Sequence, residues 1–136
     1  VTASVQPEHA MDDRDVAERH WPTSYERAFP LRSLLRAGAR LAFGSDAPVA
    51  PLDPWVAIAA AVSRSRDGRE PWLAGEAISV REAIMASSRG RFTPRVGEVG
   101  DLQLVADNPL TIGADRLRRL PVAATWLAGR LTHNRQ

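Results

Sequence analysis

At 136 residues, 44% of them hydrophobic and 25% charged, the chain has the length and balance of one ordinary globular domain. No run approaches the roughly 18 apolar residues that a membrane span needs. No basic-then-apolar leader is visible, and the absence of cysteine excludes disulfides, thiolate metal ligands and a cysteine nucleophile together. All 18 basic residues are arginine, and they are interspersed with acids to leave a net charge of +2. The densest basic group, Arg116, Arg118 and Arg119, amounts to one helical turn and is weak support for nucleic acid. These features set the expectation of a cytoplasmic protein with neither membrane nor nucleic acid as partner. The chain opens without an initiator Met, inside what reads as a strand, and is therefore expected to be part of a longer protein.

Residues 2–6 alternate small, polar and apolar side chains up to Pro7 and read as a short strand. Residues 8–29 read as polar and irregular, with Pro22 breaking any long helix. Pro30 opens an amphipathic helix with Leu31, Leu34 and Leu35 on one face and Gly38 as its stop. Leu41-Ala42-Phe43-Gly44 then suits a buried parallel strand, so residues 2–44 form a βα-repeat. Asp53 as N-cap with Pro54 at the first helical position predicts a helix carrying Trp55, Ile58, Ala59 and Val62. Residues 65–75 read as loop. Ser79-Val80-Arg81-Glu82 has the capping-box pattern of another helix. Beyond Gly90 the pattern turns to strands: residues 102–106, then 122–127 and 131–133 around a turn at Gly129. The expected organisation is an α/β region over 1–92 and a mostly β region over 93–136.

In a βα-barrel, chemistry gathers at the C-terminal ends of the strands. Two strand ends here carry polar groups: Gln6 and His9 after the first, Ser45 and Asp46 after the second. A carboxylate directly after Leu-Ala-Phe-Gly is costly to leave unpaired near a core, which makes Asp46 the stronger candidate; its bland alternative is a turn or helix cap. His9 is either a site residue or a surface loop histidine. His20 and His133 read as structural or exposed, and Trp55, Trp72 and Trp126 as packing anchors. Ser45 lacks the surroundings of a nucleophile elbow.

Phe43-Gly44-Ser45-Asp46-Ala47-Pro48-Val49, preceded by Leu34-Leu35-Arg36-Ala37-Gly38-Ala39-Arg40, resembles the last barrel strand of the amidohydrolase superfamily. More narrowly it is similar to amidohydrolase family 3, which includes N-substituted formamide deformylases and relatives of the D-aminoacylases. Thr2-Ala3-Ser4-Val5-Gln6-Pro7-Glu8-His9 resembles the preceding strand of that family. Asp107-Asn108-Pro109-Leu110 and Ala128-Gly129-Arg130-Leu131 resemble the closing strands of its small β-sandwich. The resemblance implies the last βα units of a TIM-like barrel over 1–92, followed by sandwich strands over 93–136. It implies hydrolysis of an amide or related C–N bond of a small molecule, with Asp46 as ligand of a divalent metal, usually zinc, and as proton acceptor. His9 corresponds to a substrate-binding or metal-contacting histidine at the barrel mouth.

The family's other expected ligands are a His-x-His pair, a bridging acid or carboxylated Lys, and two later histidines. None has a counterpart in a chain that has no Lys and only His9, His20 and His133. A catalytic zinc normally takes three protein ligands, and Asp46 with His9 makes two at most. Gly97-Glu98-Val99-Gly100-Asp101-Leu102 also departs from the family's Gly-Lys-x-Ala-Asp-Leu stretch. The chain is thus expected to be metal-poor and inactive alone, with the remainder of the barrel as its partner. One chain of a split enzyme, or a non-catalytic binding or assembly module, are the alternatives. An incomplete barrel is further expected to form a homo-oligomer, a dimer burying the helix faces of Leu31, Leu34 and Leu35 and of Trp55, Ile58 and Val62.

Overall fold

In the computed structural model of the chain, which describes residues 1–135, β1 (Thr2–Val5) and β2 (Arg40–Phe43) pair in parallel. Parallel neighbours need a crossover connection, and the intervening residues supply it as α1 (His9–His20), a 3₁₀ turn at Tyr25–Arg27, and α2 (Leu31–Arg36). Leu31 is fully buried, and Gly38 takes a φ of +80° just past the helix, a conformation that glycine adopts without steric cost.

The helix α1 corrects the expectation of irregular structure over residues 8–29. Its buried face consists only of Ala10, Met11 and Ala17, which pack with Ala60 and Trp72. So sparse and small a stripe leaves no visible periodicity. Tertiary packing on Trp72 forms the helix, helped by Asp12 in its first turn and Arg19 and His20 in its last, where they complement the helix dipole.

α3 (Pro54–Ser63) begins where expected: Asp53 Oδ1 accepts the Trp55 amide at 2.9 Å. Trp55 and the run from Ala57 to Ala61 are all buried, so the helix is covered on nearly every side. Ala60 joins the small cluster under α1, while Trp55, Ile58, Ala59 and Ala61 join the main core. α3 ends at Arg64, which is buried, has a φ of 54°, and donates from Nε to the Trp72 carbonyl at 3.0 Å. After a 3₁₀ turn at Ala74–Glu76, the capping box of Ser79 and Glu82 starts α4 (Val80–Ser87). Glu82 also takes both terminal nitrogens of Arg32, at 2.9 and 3.1 Å, and so ties α2 to α4.

The C-terminal part contains β3 (Leu102–Val105), α5 (Ala114–Arg118), β4 (Val122–Leu127) and β5 (Arg130–Asn134). The strands form one antiparallel sheet in the order β3-β4-β5. β4 and β5 are joined by Ala128 and Gly129, both at positive φ, as a two-residue hairpin loop requires. Gly100 passes so close beneath this loop that a Cβ there would lie 2.9 Å from the Gly129 nitrogen. Among the described residues no helix is long and apolar enough to cross a membrane.

The architecture is therefore mixed α/β with two small sheets. Leu117 of α5 and the following Leu120 are buried in the same cluster as Leu31, Trp55, Ile58, Ile78 and Ala83. The core thus runs across the boundary at which the sequence changes character. The same burial corrects the expected dimer surface. Leu31, Trp55 and Ile58 are 0%, 6% and 3% exposed within the single chain, with Leu35 and Val62 packed against them. These side chains are satisfied within the chain, whereas Leu34, the remaining member of the expected surface, is half-buried and lies outside this cluster.

Two outcomes follow for stability. Leu117→Ala should cost about 2–5 kcal/mol and lower a single cooperative transition of the whole chain. Calorimetry that resolved an unshifted transition for residues 1–92 would refute the shared core. Burial works to raise the Glu82 carboxyl, but the hydrogen bonds from Ser79 and then Arg32 outweigh it and hold it below its ordinary value of 4.5. A carboxylate lowered on folding stabilises fully above that ordinary value and loses its contribution as the pH falls through the lowered one. Glu82→Gln should therefore flatten the loss of stability below about pH 4.5, measured by urea unfolding across the acid range.

Candidate functional site

Parallel pairing with Val5 opposite Phe43 brings the C-terminal ends of β1 and β2 out at one edge of the sheet. The two loops that carried polar candidates in the sequence therefore meet. The Gly44 amide donates to the Val5 carbonyl at 3.0 Å, and the Gln6 side-chain nitrogen lies 4.0 Å from where a Cβ on Gly44 would sit. Three residues further along the first loop, His9 Nε2 lies 4.0 Å from Asp46 Oδ2. That separation is too long for a hydrogen bond, and His9 Nε2 is buried without any hydrogen-bond partner.

Asp46 differs from His9 in exposure. Its side chain is 61% exposed against 18% for His9, and its carboxylate accepts no hydrogen bond among the described residues. The helix-cap alternative fails, because α3 is capped by Asp53. The backbone at Asp46 lies in the left-handed region, φ 55°, which turns the chain sharply at the strand exit. The Ala47 amide donates to Ser45 Oγ at 3.3 Å, so the Ser45 hydroxyl is engaged in the turn. His20 and His133 are exposed and belong to other parts of the surface. Trp55 and Trp72 are buried, as packing anchors should be, and Trp126 is half-buried.

The donor types at this edge, an imidazole nitrogen without a partner and a free carboxylate, suit a zinc-type cation. Their number does not complete a site: among the described residues no three His, Cys, Asp or Glu side chains converge.

One functional-looking residue escaped the sequence. Glu8, 5% exposed, directly precedes His9. Both of its oxygens accept from Arg118 Nη1, at 2.8 and 2.8 Å, and Oε1 also accepts from Arg66 Nη1 at 3.0 Å. Its partners lie 58 and 110 positions away, and no local pattern announces them. Removing one partner of so buried a pair costs about 3–5 kcal/mol, so the cluster fixes the start of α1 firmly.

The model of a family described as the amidohydrolase family matches residues 1–133. The chain is 35% identical over 91 residues to Protein LONG AFTER FAR-RED 3 of Arabidopsis thaliana, covering 65% of this chain and 16% of that protein. It is 29% identical over 119 residues to N-substituted formamide deformylase of Arthrobacter pascens, covering 80% and 22%. It is 26% identical over 151 aligned positions to amidohydrolase YtcJ of Bacillus subtilis (strain 168), covering 99% and 28%. It therefore spans only 16% to 28% of the length of these relatives. No solved structure matches it. With a family match that takes in both strand ends and the C-terminal sheet, the chain belongs to the amidohydrolase family.

Proposed function

We propose that the chain supplies the C-terminal part of a metal-dependent amidohydrolase, with residues 1–92 as the last βα units of a TIM-like barrel and residues 93–136 as strands of a small β-sandwich. The observation that carries this reading is the meeting of Asp46 with the partnerless Nε2 of His9 at the C-terminal ends of two parallel strands. Family membership and the name of the Arthrobacter relative favour an amide of the N-substituted formamide type as substrate.

In this reading Asp46 is one ligand of a divalent metal, zinc by its donor chemistry, and the remainder of the barrel brings the others. The bound metal would supply a water acidic enough to attack at neutral pH. Asp46 accepts the proton released as that water adds to the carbonyl carbon, and returns it to the nitrogen as the C–N bond breaks. His9, at the mouth of the site, hydrogen-bonds and orients the substrate. The chain by itself is metal-poor and inactive, because one carboxylate and one imidazole leave an ion largely hydrated. That same shortfall is what favours the second reading, a binding or assembly module without catalysis.

The purified chain should hold well below one zinc per molecule by elemental analysis. With the remainder of the barrel supplied in trans, tight zinc binding and turnover should both appear and both require Asp46. His9→Ala should then reduce turnover more than zinc retention. Stoichiometric zinc in the chain alone, kept through dialysis and lost in Asp46→Ala, would sink the two-donor account.

The backbone supplies an independent check. Asp46 holds a left-handed φ with no side-chain hydrogen bond, so stability does not require it there. Asp46→Gly should leave stability unchanged or raise it by up to about 1 kcal/mol, whereas Asp46→Val should cost about 1–2 kcal/mol. Urea denaturation of the two variants measures this. A marked loss in the glycine variant would show that Asp46 is a structural residue.

A further inference from the structure

We propose that Glu8 is the positioning residue of this site, and that Arg118 of α5 makes the seating of the C-terminal region a condition for the His9–Asp46 geometry. The inference rests on the reading above for its functional meaning, and on separate contacts for its substance.

Glu8 occupies the N-cap position of α1, where an acidic side chain ordinarily turns back on its own helix to accept free amides. It does not do so: the side chain makes no cap hydrogen bond. Its carboxylate is directed instead to Arg118 and Arg66, in a place where only 6% of the side chain reaches solvent. Arg66 continues the cluster to α1, donating from Nη2 to Asp12 Oδ1 at 2.7 Å. The first turn of α1 is therefore held from two outside elements, the loop after α3 and the end of α5. His9 is the first residue of the helix so held.

The Asp46 side of the site depends on local bonds, Ala47 to Ser45 and Val49 to Asp46. The His9 side has backbone bonds to Gln6 and Pro7 within its own turn, and these set the turn's shape but not its place against β2. The β1–β2 register and the packing on Trp72 bring the turn alongside β2, and the Glu8 cluster adds the clamp on the first turn of α1 that comes from the C-terminal region. Arg118 neighbours Leu117, which is fully buried in the main core, and α5 is the connection between the paired strands β3 and β4 in the chain. A displaced C-terminal sheet would carry Arg118 away and leave a buried carboxylate short of its main partner, so α1 would shift and take His9 off Asp46. The direct link from α5 to Glu8 is made by one guanidinium nitrogen, Nη1 of Arg118.

The test uses the 136-residue chain and modification of histidine by diethyl pyrocarbonate, read residue by residue by peptide mass spectrometry. His133 is exposed, lies outside α1, and serves as the reference of constant rate. Arg118→Met should raise the rate at His9 about tenfold while one cooperative unfolding transition is kept, as expected of a local opening. Arg118→Lys should stay within about twofold of the original rate, because only Nη1 bonds Glu8 and an ammonium can replace a single donor. A His9 rate unchanged in Arg118→Met, or raised equally by Lys and Met, would overturn the proposal. Should Arg118→Met fail to fold, Glu8→Gln takes its place, with a raised His9 rate expected and an unchanged one overturning the proposal. No metal enters the measurement. Failure here would leave Asp46 standing as a ligand, and failure of the zinc experiment would leave this coupling standing.

Discussion

Two parallel strands of four residues each cannot be closed by a hairpin, and this constraint organises the N-terminal two-thirds of the molecule. The chain must leave β1, cross over and re-enter alongside it, so 34 residues separate Val5 from Arg40. The crossover has to cover one face of the pair, which Leu31 does from α2. α4 packs on β2, and α3 packs on α4 and α5 in turn. In-register pairing then sends both exit loops to the same edge. The proximity of His9 to Asp46 is a consequence of that register, since a slip of one residue would turn the side chains of one strand to the opposite face.

Buried charge is used as a fastener in two places, and the two differ in how well the charge is answered. Glu8 meets two guanidinium groups and has both oxygens occupied, although Nη2 of its partner Arg118 is buried without a hydrogen bond among the described residues. Arg64 meets carbonyl oxygens, that of Trp72 at 3.0 Å and that of Phe29 at 3.4 Å, and its Nη2 has no partner. Burial pushes its guanidinium down to about 10, with Glu76 acting in the opposite sense, so it remains charged at neutral pH. What it achieves is local. It closes the C-terminus of α3 and locks the Trp72 segment under α1. Glu8 acts over a longer range, because its partners come from segments far apart in the chain.

Local signals were legible in the sequence, and long-range ones were not. Asp53-Pro54 and the Ser79–Glu82 box marked the starts of α3 and α4, because a cap is made by residues within three positions of one another. The Gly129 turn marked the final hairpin for the same reason. α1 was missed because its helical state depends on Trp72, 52 or more residues away from it, and three small buried residues leave no stripe. Asp46 stood out through the motif around it and His9 through the resemblance. Glu8 stands beside His9 with nothing local to mark it, since its partners Arg66 and Arg118 lie 58 and 110 positions away. The expected dimer face, of which Leu31, Trp55 and Ile58 are buried within the chain itself, illustrates a related limit of local patterns. An apolar stripe tells that a face is buried and is silent on which chain buries it.

The two donors at the site stand in different solvent, and this difference bears on what completes it. Asp46 is mostly exposed, and an ion approaching it from water must give up hydration for a carboxylate screened by a high dielectric. His9 Nε2 has already lost water without gaining a partner, a state that is costly for a polar atom. A cation or a substrate hydrogen-bond donor seated between them would relieve the imidazole and would be held by the carboxylate. Seating it firmly requires the exposed side of Asp46 to be dried and further donors to be brought there. The pair is enclosed on the His9 side and open on the Asp46 side, so under the proposed function any further donors would have to arrive from the open side.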